Sequence, residues 1–117
     1  MSEIEKMVEI VNRLRDERDW RQFHDAKSSA AALVTEAAEL LEILRFTSED
    51  ELDEEVEKKS EELSDELADT LFWVLVLSDD LGIDLMGALR EKIKKTEKKY
   101  PIEKAKGNRE KWTDYED

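Results

Sequence analysis

Four carboxylates in this chain fall into two pairs of the same form, Glu36-x-x-Glu39 and, after 26 intervening residues, Glu66-x-x-Asp69. Residues three apart on a helix lie about one turn from each other, with Cβ atoms roughly 5–6 Å apart, so each pair can converge on one cation. Both pairs sit in apolar surroundings, the second directly before the run Leu71 to Leu77, the most apolar stretch of the chain. Taking an ionised carboxylate out of water costs several kcal/mol, against a net domain stability of roughly 5–15 kcal/mol. Carboxylates that face inward therefore need cations. An all-oxygen ligand set without thiolate favours a hard ion, Mg²⁺ or Mn²⁺. The competing reading is a set of exposed helical acids or ion pairs, because a chain with 32 Asp and Glu produces such spacings by chance.

Helical geometry extends each pair into a stripe. Glu62, Glu66, Asp69 and Trp73 share one face, as do Glu36, Glu39, Ile43 and Phe46. Trp20, Phe46 and Trp73 are candidates for core packing or, next to acidic faces, for stacking on a base. The di-iron carboxylate bundles require Glu-x-x-His on two helices, and residue 21, three before the single histidine His24, is Arg. That chemistry is disfavoured, and His24 is expected to be a hydrogen-bonded loop residue. Lys92, Lys94, Lys95, Lys98 and Lys99 read either as a solvated face balancing Glu91 and Glu97 or as a cationic segment that attracts a polyanion. Metal, lysine and aromatic together suit a nucleotide.

Composition sets the frame for these residues. With 117 residues the chain is expected to be one domain over 1–117, and three Gly and one Pro point to helices rather than strands. The charged fraction of 44% and net charge of −13 argue against a nucleic-acid polymer as partner, since phosphate backbones would be repelled. Cysteine is absent, which excludes disulfides and thiol chemistry. Met1 to Lys6 lacks the apolar core of a signal peptide, and no apolar run approaches the roughly 20 residues that span a bilayer. No membrane partner and a cytoplasmic location are expected.

Four helices must position the candidate residues. Ile4, Met7, Val8, Val11 and Leu14 predict a first helix over about 3–18, followed by a connection holding Trp20, Phe23 and His24. Ser28 or Ser29 is expected to cap the second helix, which carries Glu36 and Glu39 to about Arg45. Ser48 and Glu51 are spaced as a capping box, and the charged stretch 49–62 reads as a solvated helix or connection. A long helix with Glu66 and Asp69 runs to Asp79 or Asp80, with Gly82 placed to end it in the left-handed conformation. Asp84 caps the last main helix, Tyr100-Pro101 stops it, and 102–117 reads as an irregular tail. The expected architecture is an all-α four-helix bundle, paired with a copy of itself.

In this order the motifs resemble those of the all-α nucleoside triphosphate pyrophosphatases, the MazG-like superfamily, and especially its compact dCTP pyrophosphatase branch. The matching residues are Glu36, Glu39, Glu66 and Asp69, Glu17-Arg18-Asp19-Trp20 with Gln22-Phe23-His24, Gly82-Ile83-Asp84-Leu85, and Lys99-Tyr100-Pro101. The resemblance implies Mg²⁺-dependent hydrolysis of a nucleoside triphosphate, preferentially a deoxynucleotide, to the monophosphate and pyrophosphate, in cleansing or balancing the nucleotide pool. It assigns Glu36, Glu39, Glu66 and Asp69 to the metal and to catalysis, Trp20, Phe46 and Trp73 to the base, and Lys92 to the phosphates. Glu62 and Asp65 form an alternative Glu-x-x-Asp pair, but Glu66 and Asp69 fit the family's distance to Asp84. Val11 and Thr96 stand where the animal enzymes of the branch have a histidine and an asparagine, so Thr96 joins the candidate substrate-binding residues. Members of the family are homodimers or dimers of dimers. The alternatives are a dUTP or dUDP hydrolase of the related all-α group and a non-catalytic helical interaction or regulatory module.

Overall fold

The computed structural model describes residues 1–116, and Asp117, the last residue of the expected tail, lies outside them. The chain divides into two compact units, Met1–Gly82 and Ile83–Asp117. In the first unit the helices are α1 (Glu3–Glu17), α2 (Ala26–Leu44), α3 (Leu52–Lys58) and α4 (Ser60–Asp80), and in the second α5 (Leu85–Lys99) and α6 (Ile102–Ala105). Single 3₁₀ turns occupy Arg21–Phe23, Glu49–Glu51 and Trp112–Asp114, and no strand occurs among the described residues. The all-α expectation holds. The four anticipated helices are α1, α2, α4 and α5, and α3 and α6 add two short ones.

Local chemistry explains the boundaries of α1. Ser2 and Glu5 form a capping box, each side chain accepting from the other's backbone N–H at 3.2 Å. The helix ends where Asp19 adopts φ +54°, a left-handed conformation that Asp tolerates better than most non-glycine residues. Trp20 N–H then reaches back to the Arg15 carbonyl at 2.9 Å and Asp19 N–H to that of Asp16 at 3.2 Å, which is a Schellman closure.

The start of α2 departs from expectation. Asp25, not Ser28 or Ser29, is the N-cap, its carboxylate accepting the Ser28 N–H at 2.7 Å. A negative charge there also suits the helix dipole, while Ser29 is fully buried inside the first turn. Ser48 likewise makes no side-chain cap, because the Glu51 N–H bonds its carbonyl at 3.1 Å in a 3₁₀ turn. The charged stretch 49–62 is that turn, α3, and the first residues of α4.

In the first unit α4 is the central element, with α1 and α2 both packed on it. Lys59 Nζ donates to the Ile43 carbonyl at 3.3 Å near one end of the α2–α4 seam, and the His24 ring meets Trp73 at the other, so the two helices run antiparallel. The deepest part of the core is small: Val11, Leu75 and Val76, with Ser29 and Ser78 where close packing leaves no room for bulk. Arg15 lies among them with no exposed surface, and its two Nη atoms bond the two carboxylate oxygens of Asp80 at 2.9 Å each. Beside that pair Asn12 Nδ2 donates to Asp79 at 2.9 Å, so the C-terminal turn of α4 is fastened to α1.

Gly82, at φ +67°, ends α4 as anticipated, its N–H bonding the Asp79 carbonyl at 3.0 Å. In the second unit Asp84 caps α5 through the Gly87 N–H at 3.1 Å. A Cβ at residue 87 would collide with that carboxylate. The tail is more ordered than expected. Pro101, extended at ψ 147°, launches α6, Gly107 turns the chain at φ +73°, and the Tyr115 ring packs edge-on against Tyr100 at 5.9 Å.

Asp80→Ala leaves the Arg15 guanidinium buried without its bidentate partner, which costs about 3–5 kcal/mol. Asp79→Ala removes one solvent-exposed bond from Asn12 to a carboxylate, worth about 1.5 kcal/mol. Urea denaturation of the two variants is expected to show this difference; equal losses would contradict the role given to Arg15.

Candidate metal centre

α2 and α4 bring Glu36, Glu39 and Glu66 together, with one carboxylate oxygen from each lying within 4.8 Å of the others. Glu36 and Glu66 are half-buried in the seam, and Glu39, one turn further along α2, is exposed. The Oε2 atoms of Glu36 and Glu66 are buried and have no hydrogen-bond donor. Like charges at this distance repel in a medium less polar than water, and two remedies exist: a cation between them, or a proton on one of them. Glu36 shows the second. Once protonated, Glu36 becomes the donor that Glu66 lacks, and this sharing with Glu66 first, then burial, then the charges of Glu39 and Asp69 push its carboxyl up to about 7.

Asp69 lies outside the group of three oxygens but close enough for its charge to act on Glu36. Its side chain is exposed, as are Glu62 and Asp65. Trp73 is half-buried, edge-on to the His24 ring at 5.0 Å and to Phe72 at 5.2 Å. Trp20 is exposed in the α1–α2 connection, with the Arg18 guanidinium 5.8 Å from its ring centre. Phe46, 87% exposed just beyond α2, carries Arg45 over its ring at 4.8 Å. Lys92 and Thr96 belong to the second unit, exposed and one turn apart on α5, where Thr96 Oγ1 donates to the Lys92 carbonyl at 2.9 Å.

His24 differs from its expectation as a hydrogen-bonded loop side chain. Its Nδ1 is buried with no partner, and the ring instead packs on Trp73. Burial, then the Arg15 charge, lowers its pKa, with Arg21 adding to the effect and Asp80 opposing it. The imidazole is neutral at neutral pH. Arg15, Arg21, Asp16 and Asp80 around it form an ion-pair cluster that the spacing argument missed. One signal was available: Arg15 stands four residues after Val11, on the apolar face of α1.

An acidic, oxygen-only cluster thus lies in the seam of two antiparallel helices of an all-α chain. The MazG-like family profile matches residues 32–115. The dCTP pyrophosphatase 1 of Mus musculus is 32% identical over 116 residues, covering 94% of this chain and 68% of that protein. Its Bos taurus counterpart is 31% identical, covering 94% and 69%. A crystal structure of a pyrophosphatase from Archaeoglobus fulgidus DSM 4304 superposes with a TM-score of 0.82 at 37% identity, covering 86% of this chain and 94% of that one. The chain belongs to the MazG-like family, and within it resembles the dCTP pyrophosphatase branch.

Because Glu36 is raised from its ordinary 4.5 to about 7, the cation-free folded chain holds more protons than the unfolded chain between those values. Its stability through this group is therefore lost as pH rises across that window. Glu36→Gln removes the contribution, so between pH 5 and pH 8 its melting temperature should fall less than that of the unaltered chain in chelator. Differential scanning calorimetry checks this; parallel pH profiles would show that the proton is not held at Glu36.

Proposed function

We propose that this chain is a divalent-cation-dependent hydrolase that cleaves a deoxynucleoside triphosphate between its α and β phosphates, releasing the monophosphate and pyrophosphate for cleansing of the nucleotide pool. Family membership together with the pyrophosphatase relatives makes it a nucleoside triphosphate pyrophosphatase. The observation that carries the cation dependence is the convergence of Glu36, Glu39 and Glu66 with two buried, unpartnered oxygens. Such a donor set fits a hard ion, Mg²⁺ or Mn²⁺. In this reading Glu36, Glu39 and Glu66 hold it and Asp69, one turn after Glu66, completes the set. When bound, the ion supplies charge neutralisation at the phosphate oxygens and acidifies water.

The rest of the work falls to the chain. A water oxygen attacks the α phosphorus, the bond from that phosphorus to the bridging oxygen breaks, and pyrophosphate leaves with the bridging oxygen. The carboxylates are held in place beforehand by the packing of α4 on α1 and α2. Trp73, backed by the neutral His24 and four residues after Asp69 on α4, is assigned to the base. The exposed rings of Trp20 and Phe46 are further base contacts, and Lys92 with Thr96 on α5 are assigned to the phosphates. The names of the relatives put dCTP at the head of the substrate panel.

The chain is also proposed to work as a homodimer or homotetramer. Val34 and Leu41 on α2 and Leu67 and Leu71 on α4 are 48–68% exposed, on the sides of their helices turned away from the carboxylates. Apolar rows of this kind are normally covered. Among the described residues no helix is long and apolar enough to cross a membrane. The proposed place of work is the cytoplasm.

Pyrophosphate release from a panel of dNTPs, including dCTP, 5-methyl-dCTP and dUTP, tests the activity, with Mg²⁺ and with chelator. Turnover with Mg²⁺ alone is expected, and no turnover of any nucleotide would refute the reading. Glu66→Gln should lower turnover about a hundredfold or more, since several kcal/mol of charge stabilisation depend on the site, with the helical circular-dichroism signal retained. Leu41→Glu with Leu67→Glu should reduce the mass measured by light scattering; an unchanged mass would exclude this face as the interface.

A further inference from the structure

The second unit contains a cavity that the carboxylate centre does not use. After α5 the chain passes Pro101, forms α6, turns at Gly107 and returns through the 3₁₀ turn Trp112–Asp114. The return borders an open groove of about 300 Å³ lined by Lys98, Lys99, Pro101, Lys104, Trp112 and Tyr115. That volume is at the lower end of those that hold small ligands.

Three features of the lining point to one ligand chemistry. First, among the described residues the ionisable groups facing the cavity are three lysines and a phenol, with no carboxylate. This occurs in a chain of net charge −13, and among the described residues none of the three lysines forms an ion pair. Three ammonium groups around one space repel each other, and a multiply charged anion relieves this. Secondly, the Tyr115 hydroxyl is buried without a hydrogen-bond partner, and burial raises its pKa, so it remains a donor awaiting an acceptor. Thirdly, Trp112 presents an indole that is 40% exposed, with Lys99 Nζ 5.1 Å from its ring centre. The ring is thus held beside the cationic group while retaining open surface for a planar partner. Glu110, Asp114 and Glu116 line the adjoining cavity, which shares Lys104 and Tyr115, so an anion is directed to the lysine side.

We propose that this pocket binds a nucleoside phosphate, with the phosphate held by Lys98, Lys99, Lys104 and the Tyr115 hydroxyl and the base against Trp112. The ammonium groups supply the neutralising charge, so binding needs no divalent ion. The site is formed by the second unit alone and extends beyond the hydrolytic reading, which involves the carboxylates of α2 and α4.

The chain has three tryptophans, at 20, 73 and 112, so its indole N–H signals form a short NMR spectrum in which Trp112→Phe identifies one. The test titrates dCMP and, separately, inorganic pyrophosphate into the ¹⁵N-labelled full chain in the presence of chelator. Expected is a saturable shift of the Trp112 signal with dCMP, retained in Glu66→Gln. Lys98→Ala and Lys104→Ala should each weaken binding about tenfold, the effect of losing a charge-assisted hydrogen bond. No shift of the Trp112 signal at millimolar dCMP would overturn the proposal. So would equal affinity for pyrophosphate, which would leave the indole without a role, or loss of binding in Glu66→Gln, which would merge the pocket with the carboxylate centre. Absence of hydrolytic activity would leave the titration as informative as before.

Discussion

Repulsion among Glu36, Glu39 and Glu66 is the constraint around which the first unit is built. Oxygens from three carboxylates within 4.8 Å would drive α2 and α4 apart if nothing else held the seam. The restraints lie at its ends rather than beside the acids. Lys59 bridges to the Ile43 carbonyl at one end, and at the other Ser29 lets the start of α2 pack closely while Trp73 packs on His24. Such an arrangement separates the groups that bind from the groups that hold. The carboxylates remain available because none of their charge is consumed by a neighbouring lysine or arginine.

Charge balance elsewhere in the unit follows the opposite rule. Arg15 gives up all contact with water and is matched atom for atom by Asp80, while Arg21 stands 3.7 Å from the same carboxylate and also pairs with Asp16. A buried pair of this kind contributes little net stability against an apolar substitute, yet it permits few alternative packings of α1 on α4. Fixing that register also fixes where His24 and Trp73 meet.

Much of this was legible in the sequence because it depends on spacing along a single helix. The two Glu/Asp pairs, the Asp84 cap and the Gly82 stop each follow from residues within one turn of each other. Contacts between distant segments were not legible. Nothing in the pattern around Arg15 names Asp80, 65 residues away, as its partner. The same limit explains the caps that were misjudged. Asp25, Ser28 and Ser29 all suit an N-terminus, and the choice fell to Asp25 because Ser29 is small enough to enter the core. The tail was misread for a related reason, since its order comes from Tyr115 returning to Tyr100 rather than from any local periodicity. Among the candidate residues, the convergence of Glu36, Glu39 and Glu66 follows from spacing, but exposure does not: Phe46, expected to extend the acidic face of α2, falls beyond the end of that helix and is open to solvent.

The cap of α5 has a bearing on how the chain can vary. The Asp84 carboxylate as it stands occupies the space that a Cβ at residue 87 would need, and the colliding atoms belong to the free end of that side chain. The α2 cap shows the alternative, since Asp25 accepts from the Ser28 N–H at 2.7 Å with a side chain present at the receiving position. Alanine at 87 therefore requires only that Asp84 turn toward the Asp25 geometry, and the higher helix propensity of alanine favours that exchange.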